Sequence, residues 1–147
     1  MADATTRVLA FDFGLKRIGV ATGQTLTATT QMLAPIAARD GIPDWTLVEK
    51  LLKEWRPDLL LVGIPLSIDG SELSVTPNAR KFMNRLHGRF GLPVRGVDER
   101  ITTKEARQQL FEHGGYKLLK NQSVDSLAAE LMLQQWLHEQ AAKDDRA

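Results

Sequence analysis

The chain has 147 residues with no cysteine, a formal net charge of +1, and 43% hydrophobic against 25% charged residues. That length suits one domain spanning residues 1–147 with its own buried core, and the composition excludes disulfides, thiolate catalysis and cysteine-ligated zinc. The near-neutral charge neither demands nor forbids a nucleic-acid partner, so only a local basic patch can argue for one.

In chain order, residues 7–13 (RVLAFDF) and 17–22 (RIGVAT) read as strands joined by the short turn Gly14-Leu15-Lys16-Arg17. Residues 28–36 can form a third strand at the approach to Pro35. Residues 42–57 predict a helix with Asp44 as N-cap, Pro57 as its stop, and Trp45, Val48, Leu51, Leu52 and Trp55 as its apolar stripe. The continuous apolar run 58–66 fits a central strand covered on both faces. A second helix over 76–91 carries Ala79, Phe82, Met83, Leu86 and Phe90 on one side. A last strand over 93–100 precedes helices over 102–115, ended by Gly114-Gly115, and 123–140. The ends, 1–6 and 141–147, are expected to fray. No run approaches the roughly 20 apolar residues of a membrane span, and MADATTR has no apolar signal core, so a cytoplasmic protein without a membrane partner is expected. The order β-β-β-α-β-α-β-α-α predicts an α/β protein with a mixed five-stranded sheet flanked by helices, which matches the ribonuclease H-like layout.

Three acids stand out. Asp12 sits inside the first strand, where a carboxylate is costly unless paired or bound to a cation. In VDER (97–100), strand alternation puts Asp98 and Glu99 on opposite faces, so only one of them serves a given site; Glu99 has the longer reach. Asp125 falls in the first turn of the last helix, where the helix dipole favours an acid. It lies in line with Ala129, Met132 and Trp136, which points it toward the sheet. Strand exits and helix starts converge on one edge of such a sheet. Three acids gathered there repel one another without a cation. Mg²⁺ or Mn²⁺ suits a few carboxylates and leaves room for a substrate phosphate; two such ions, the number expected here, can activate a water and stabilise the leaving oxygen. The scattered histidines 87, 113 and 138 read as surface residues, not as zinc ligands.

Cations surround these acids in sequence. Lys16 and Arg17 follow Asp12, and Arg100 follows Glu99. Arg80, Lys81, Arg85 and Arg89 lie off the apolar stripe of the second helix, a stretch without acids from Thr76 to Gly91. Lys117 and Lys120 precede Asp125, with Tyr116 available to stack on a base. A basic face beside a carboxylate cluster suits a phosphodiester backbone. Pro65 and Asp69 in GIPLSIDGSE (63–72) can shape a wall of the site, although Asp69-Gly70 is first of all a turn pair.

The segments FDFGLKRIGVA, VGIPLSIDGSE, ARKF, DERITTKEAR and VDSLAAELML, in that order and spacing, resemble the YqgF family, also called RuvX, over roughly residues 7–137. The resemblance implies the ribonuclease H-like fold and kinship with RuvC-type Holliday junction resolvases. It also implies hydrolysis of phosphodiester bonds, either in maturing the 5′ end of pre-16S ribosomal RNA or in resolving branched DNA. It carries the acidic set onto Asp12, Glu99 and Asp125, with Glu99 placed after a later strand than the second acid of RuvC-type enzymes. Precursor ribosomal RNA, ribosomal precursor particles or a DNA junction would be the partners. A homodimer suits the two-fold symmetric junction and a monomer suits RNA processing. Two other readings stay open. DFGLKRIG is similar to the phosphate loop of actin-like and sugar-kinase folds, although those enclose ATP between two such domains. A nucleic-acid-binding factor without catalysis is the other.

Overall fold

The computed structural model describes residues 6–67, 69–98 and 124–146, with side chains for all of these except 124, 125 and 142–146. Strand β1 (Arg7–Asp12) is buried at every position after Arg7. It is central because it has a neighbour on each side: β2 (Arg17–Gln24) runs antiparallel to it and β5 (Leu59–Ile64) parallel. With β3 (Thr29–Arg39), β4 (Ile42–Pro43) and β6 (Val94–Asp98), the sheet order is β4-β3-β2-β1-β5-β6. The β1–β2 turn requires its glycine, because a Cβ on Gly14 would fall 2.4 Å from the Arg17 carbonyl oxygen.

Two details depart from the sequence pattern. Strand β3 runs through Pro35 instead of stopping there. The β2–β3 register changes from Ile18↔Ile36 to Val20↔Leu33, which leaves Ala34 and Pro35 opposite Gly19. This bulge accommodates a residue that has no N–H to give to the ladder. The sheet also has a sixth strand, the two-residue β4, which pairs with Ala38 and Arg39. Ile42 and Pro43 therefore belong to the sheet, and helix α1 (Trp45–Trp55) starts after Asp44, whose carboxylate accepts the Thr46 N–H at 2.9 Å.

Strand alternation sorts the side chains into two layers. Leu9, Phe11, Phe13, Leu60 and Val62 face α1 and α2 (Thr76–Phe90). Phe82 of α2 is the centre of that layer, edge-on to Phe11 at 5.6 Å and stacked on Trp45 at 5.9 Å. Val8, Ala10, Ala21, Leu59 and Leu61 face the other way, against Ala129, Met132, Leu133 and Leu137 of helix α3 (Val124–Arg146). The backbone of α3 continues to Arg146, into the tail expected to fray. The helix expected over 102–115 lies outside the described residues. Among the described residues, no helix is long and apolar enough to cross a membrane.

Candidate active site

Asp12 is the last residue of β1 and shares its register side with Val8 and Ala10, the face that α3 covers. Its partners across the sheet are Gly19 on β2 and Gly63 on β5, so neither flanking rung offers a side chain to it. The residue is 7% exposed, and its Oδ1 is buried without a hydrogen-bond partner among the described residues. Leaving a buried acceptor unpaired costs about 1–3 kcal/mol, and more for a charged group. A hard cation with oxygen preference fits that bare carboxylate oxygen.

The N-terminal turn of α3 is brought to the same edge by Ser126. Its hydroxyl is 3% exposed, accepts the Val20 N–H at 3.2 Å and donates to the Leu33 carbonyl at 2.8 Å. Val20 and Leu33 are register partners at the bulge, and Val20 adjoins Gly19, the partner of Asp12. Asp125, one residue before Ser126, enters the described structure through its backbone alone. The line drawn through it on the sequence does face the sheet: Ala129 and Met132 are buried there and Trp136 packs against the same cluster.

Of the two acids of VDER, Asp98 is described, as the last residue of β6. Asp98 pairs in register with Ile64. With Ile64, Leu66, Arg80, Met83 and Asn84 it lines a cavity of about 310 Å³ on the α2 side, the face opposite Asp12. Glu99 and Arg100 lie outside the described residues, as do Lys117 and Lys120. Among the described residues, no three acids or histidines come together.

The candidate cations that are described divide between two places. Lys16 and Arg17 are exposed in the turn that follows Asp12, at the site's edge. Those of α2 stand on the other layer. Arg80 pairs with Glu72, an acid that precedes the helix and that the acid-free stretch does not include. Lys81 and Arg85 are exposed, and the Arg89 guanidinium sits 4.4 Å from the centroid of the Trp45 ring. His87 hydrogen-bonds the Leu92 carbonyl through Nδ1 at 2.9 Å, a structural role.

The 65–72 segment is organised as a turn. Asp69 accepts the Ser67 hydroxyl, together with the Ser71 hydroxyl at 2.6 Å and the Ser71 N–H at 2.9 Å. These bonds, that of Ser67 foremost, hold its carboxyl well below the usual carboxylate range. Thr76, fully buried, fastens the turn to α2 by donating to the Pro65 carbonyl at 2.6 Å and accepting the Leu73 N–H at 2.9 Å. Sequence reasoning missed both Thr76 and Ser126. A buried hydroxyl that bonds distant backbone has no periodicity to reveal it.

Comparison with known proteins adds the family. Residues 6–139 match the model of the RuvX family, described as Holliday junction resolvase. A protein of Aeromonas salmonicida (strain A449) named "Putative pre-16S rRNA nuclease" is 58% identical over 133 residues, covering 90% of this chain and 95% of that one. A protein of the same name from Yersinia enterocolitica is 54% identical over 138 residues, covering 94% and 99%. Among solved structures, Thermus thermophilus RuvC in complex with Holliday junction substrate superposes with a TM-score of 0.59 at 14% identity, covering 92% of this chain and 96% of that one. The yeast mitochondrial Holliday junction resolvase Ydc2 gives 0.55 at 14%, covering 92% and 79%. The fold is therefore the ribonuclease H-like fold of RuvC-type proteins, and with a family match over nearly its whole length the chain belongs to the RuvX family.

Proposed function

We propose that the chain is a divalent-metal-dependent nuclease that hydrolyses phosphodiester bonds during 5′-end maturation of pre-16S ribosomal RNA in the cytoplasm. The observation that carries this reading is the buried Asp12 Oδ1, without a hydrogen-bond partner among the described residues, at the edge where the first turn of α3 arrives. A carboxylate oxygen that the described fold shields from water and leaves unpaired suits a cation. Asp12, Glu99 and Asp125 would hold Mg²⁺ or Mn²⁺. When bound, such an ion acidifies a coordinated water and neutralises charge at the scissile phosphate. Lys16 and Arg17, at the same edge, would hold the phosphodiester backbone, with Arg100, Lys117 and Lys120 extending that contact. Lys81 and Arg85, and Arg80 beyond its pairing with Glu72, would meet the strand where it passes the α2 layer.

The substrate assignment leans on relatives more than 50% identical that carry the rRNA nuclease name. The family description and the RuvC-like fold favour a second reading, resolution of four-way DNA junctions. A cleavage assay separates them. Wild-type and Asp12→Asn proteins are incubated with precursor 16S RNA and with a synthetic four-way junction, in Mg²⁺ or Mn²⁺ and in EDTA. Metal-dependent cutting of the RNA alone, lost in Asp12→Asn, is the expected result. Cutting of the junction alone moves the protein to recombination. A mutant that cuts at the wild-type rate removes Asp12 from the site.

A further inference from the structure

Ser126 is a buried polar residue in the first turn of α3. Its one hydroxyl joins two backbone groups that lie 106 and 93 residues away, the Val20 N–H and the Leu33 carbonyl. These two residues are opposite each other in the β2–β3 ladder, at the rung where the register slips. The slip follows from Ala34 and Pro35 standing opposite Gly19. The hydroxyl thus ties α3 into the sheet at the bulge, by atoms of fixed backbone on both sides. Few contacts locate the start of a helix so narrowly. Apolar packing along α3 fixes its distance from the sheet, but allows sliding and rotation that a two-point hydrogen bond does not.

We propose that Ser126 is a positioning residue for the metal site: by locking the first turn of α3 to the β2–β3 bulge, it holds the backbone of Asp125 in register with Asp12. This rests on the reading of Asp12 and Asp125 as metal ligands. The path is short, with a peptide bond at the Asp125 end and a cross-strand pair at the Asp12 end. Asp125 precedes Ser126 directly, and Gly19, beside Val20, is the register partner of Asp12. Supporting groups around metal ligands typically contribute tenfold to a hundredfold in metal affinity or activity. A loss of that order is expected here without any ligand being removed.

The test uses the full chain and Mn²⁺ alone, with the dissociation constant measured by titration calorimetry and free-ion electron paramagnetic resonance. Three variants are compared with the wild type. Ser126→Ala removes the bridge. Ser126→Thr keeps the hydroxyl and serves as the conservative rescue. Leu137→Ala truncates a core side chain about three turns further along α3 and destabilises the helix without touching the bulge. Thermal unfolding in EDTA records stability, and hydrogen exchange at the Val20 amide records the bridge. The expected result is Mn²⁺ binding about tenfold or more weaker in Ser126→Ala, with faster Val20 exchange, and near-wild-type binding in Ser126→Thr and Leu137→Ala. Wild-type affinity in a folded Ser126→Ala overturns the proposal and leaves the metal-site reading standing. Equal weakening in Ser126→Ala and Leu137→Ala also overturns it, because general loosening of α3 then explains the loss. A wild-type protein that binds no Mn²⁺ overturns both readings together. If Ser126→Ala does not fold, Ser126→Cys, which keeps the volume but bonds weakly, takes its place under the same criteria.

Discussion

Replacing Asp12 by Asn should make the metal-free protein more stable and the metal-loaded protein less stable than the wild type. The side chain is 7% exposed with Oδ1 unpartnered, and its cross-strand neighbours are glycines. Asn keeps the shape and leaves a polar atom in the same place, so the gain is only the difference between a charged and a neutral orphan, about 1–2 kcal/mol. For a domain of this size that raises the midpoint of thermal unfolding by about 2–8 °C in EDTA. Mn²⁺ at 100 times its dissociation constant adds about 2.7 kcal/mol to the wild type and nothing to a mutant that cannot bind it. The order of stability therefore inverts between EDTA and saturating Mn²⁺. Urea unfolding at pH 7 in the two buffers, followed by tryptophan fluorescence, reads both numbers. An Asn variant less stable than the wild type in EDTA by about 1 kcal/mol or more, half the orphan cost, would refute the reasoning, since it would mean that the protein itself satisfies Oδ1.

Two further outcomes follow from other parts of the molecule. Lys81→Ala and Arg85→Ala should each weaken binding of precursor RNA uniformly across sequences and lower the slope of log affinity against log salt by about 1, with no change in the metal requirement; an unchanged slope removes α2 from the RNA path. Asp69, whose carboxyl is held low by the Ser67 and Ser71 hydroxyls, contributes its turn's stability above the unfolded carboxylate range and loses it only as pH falls through the depressed folded value. Carbon-detected NMR titration should therefore show Asp69 ionised throughout the range where ordinary aspartates protonate, and Ser67→Ala should move its midpoint upward.

Legibility in the sequence followed the reach of each interaction. The buried strand of 7–13, the apolar run of 58–66 and the stripe of Phe82 and Leu86 announce themselves because local apolar pattern and burial coincide. Asp12 was visible for the opposite reason, as the one charge breaking a buried pattern. The separation of Asp98 from the Asp12 face followed from alternation alone. Residues 42–43 were read as helix because Asp44 caps a helix convincingly and nothing local says that the preceding pair hydrogen-bonds to Ala38 and Arg39. The strand through Pro35 was cut short because proline's missing donor is a local fact, whereas the bulge that tolerates it depends on Gly19 in another strand. The basic face of α2 looked continuous because Glu72, which takes up Arg80, lies outside the helix.

The long span of the Ser126 bonds has a consequence for how the protein comes into being. Strands β1, β2 and β3 are sequence neighbours and can pair as soon as they are made, whereas α3 is translated after all the strands. A ribosome-bound chain that has released the sheet but not α3 exposes Val8, Ala10, Ala21, Leu59 and Leu61 as a sticky apolar surface. It also lacks the tie at Val20 and Leu33. Such a nascent chain carries an open apolar face that favours association with other chains until α3 covers it. The order of synthesis thus delays closure of this apolar face until α3 has emerged.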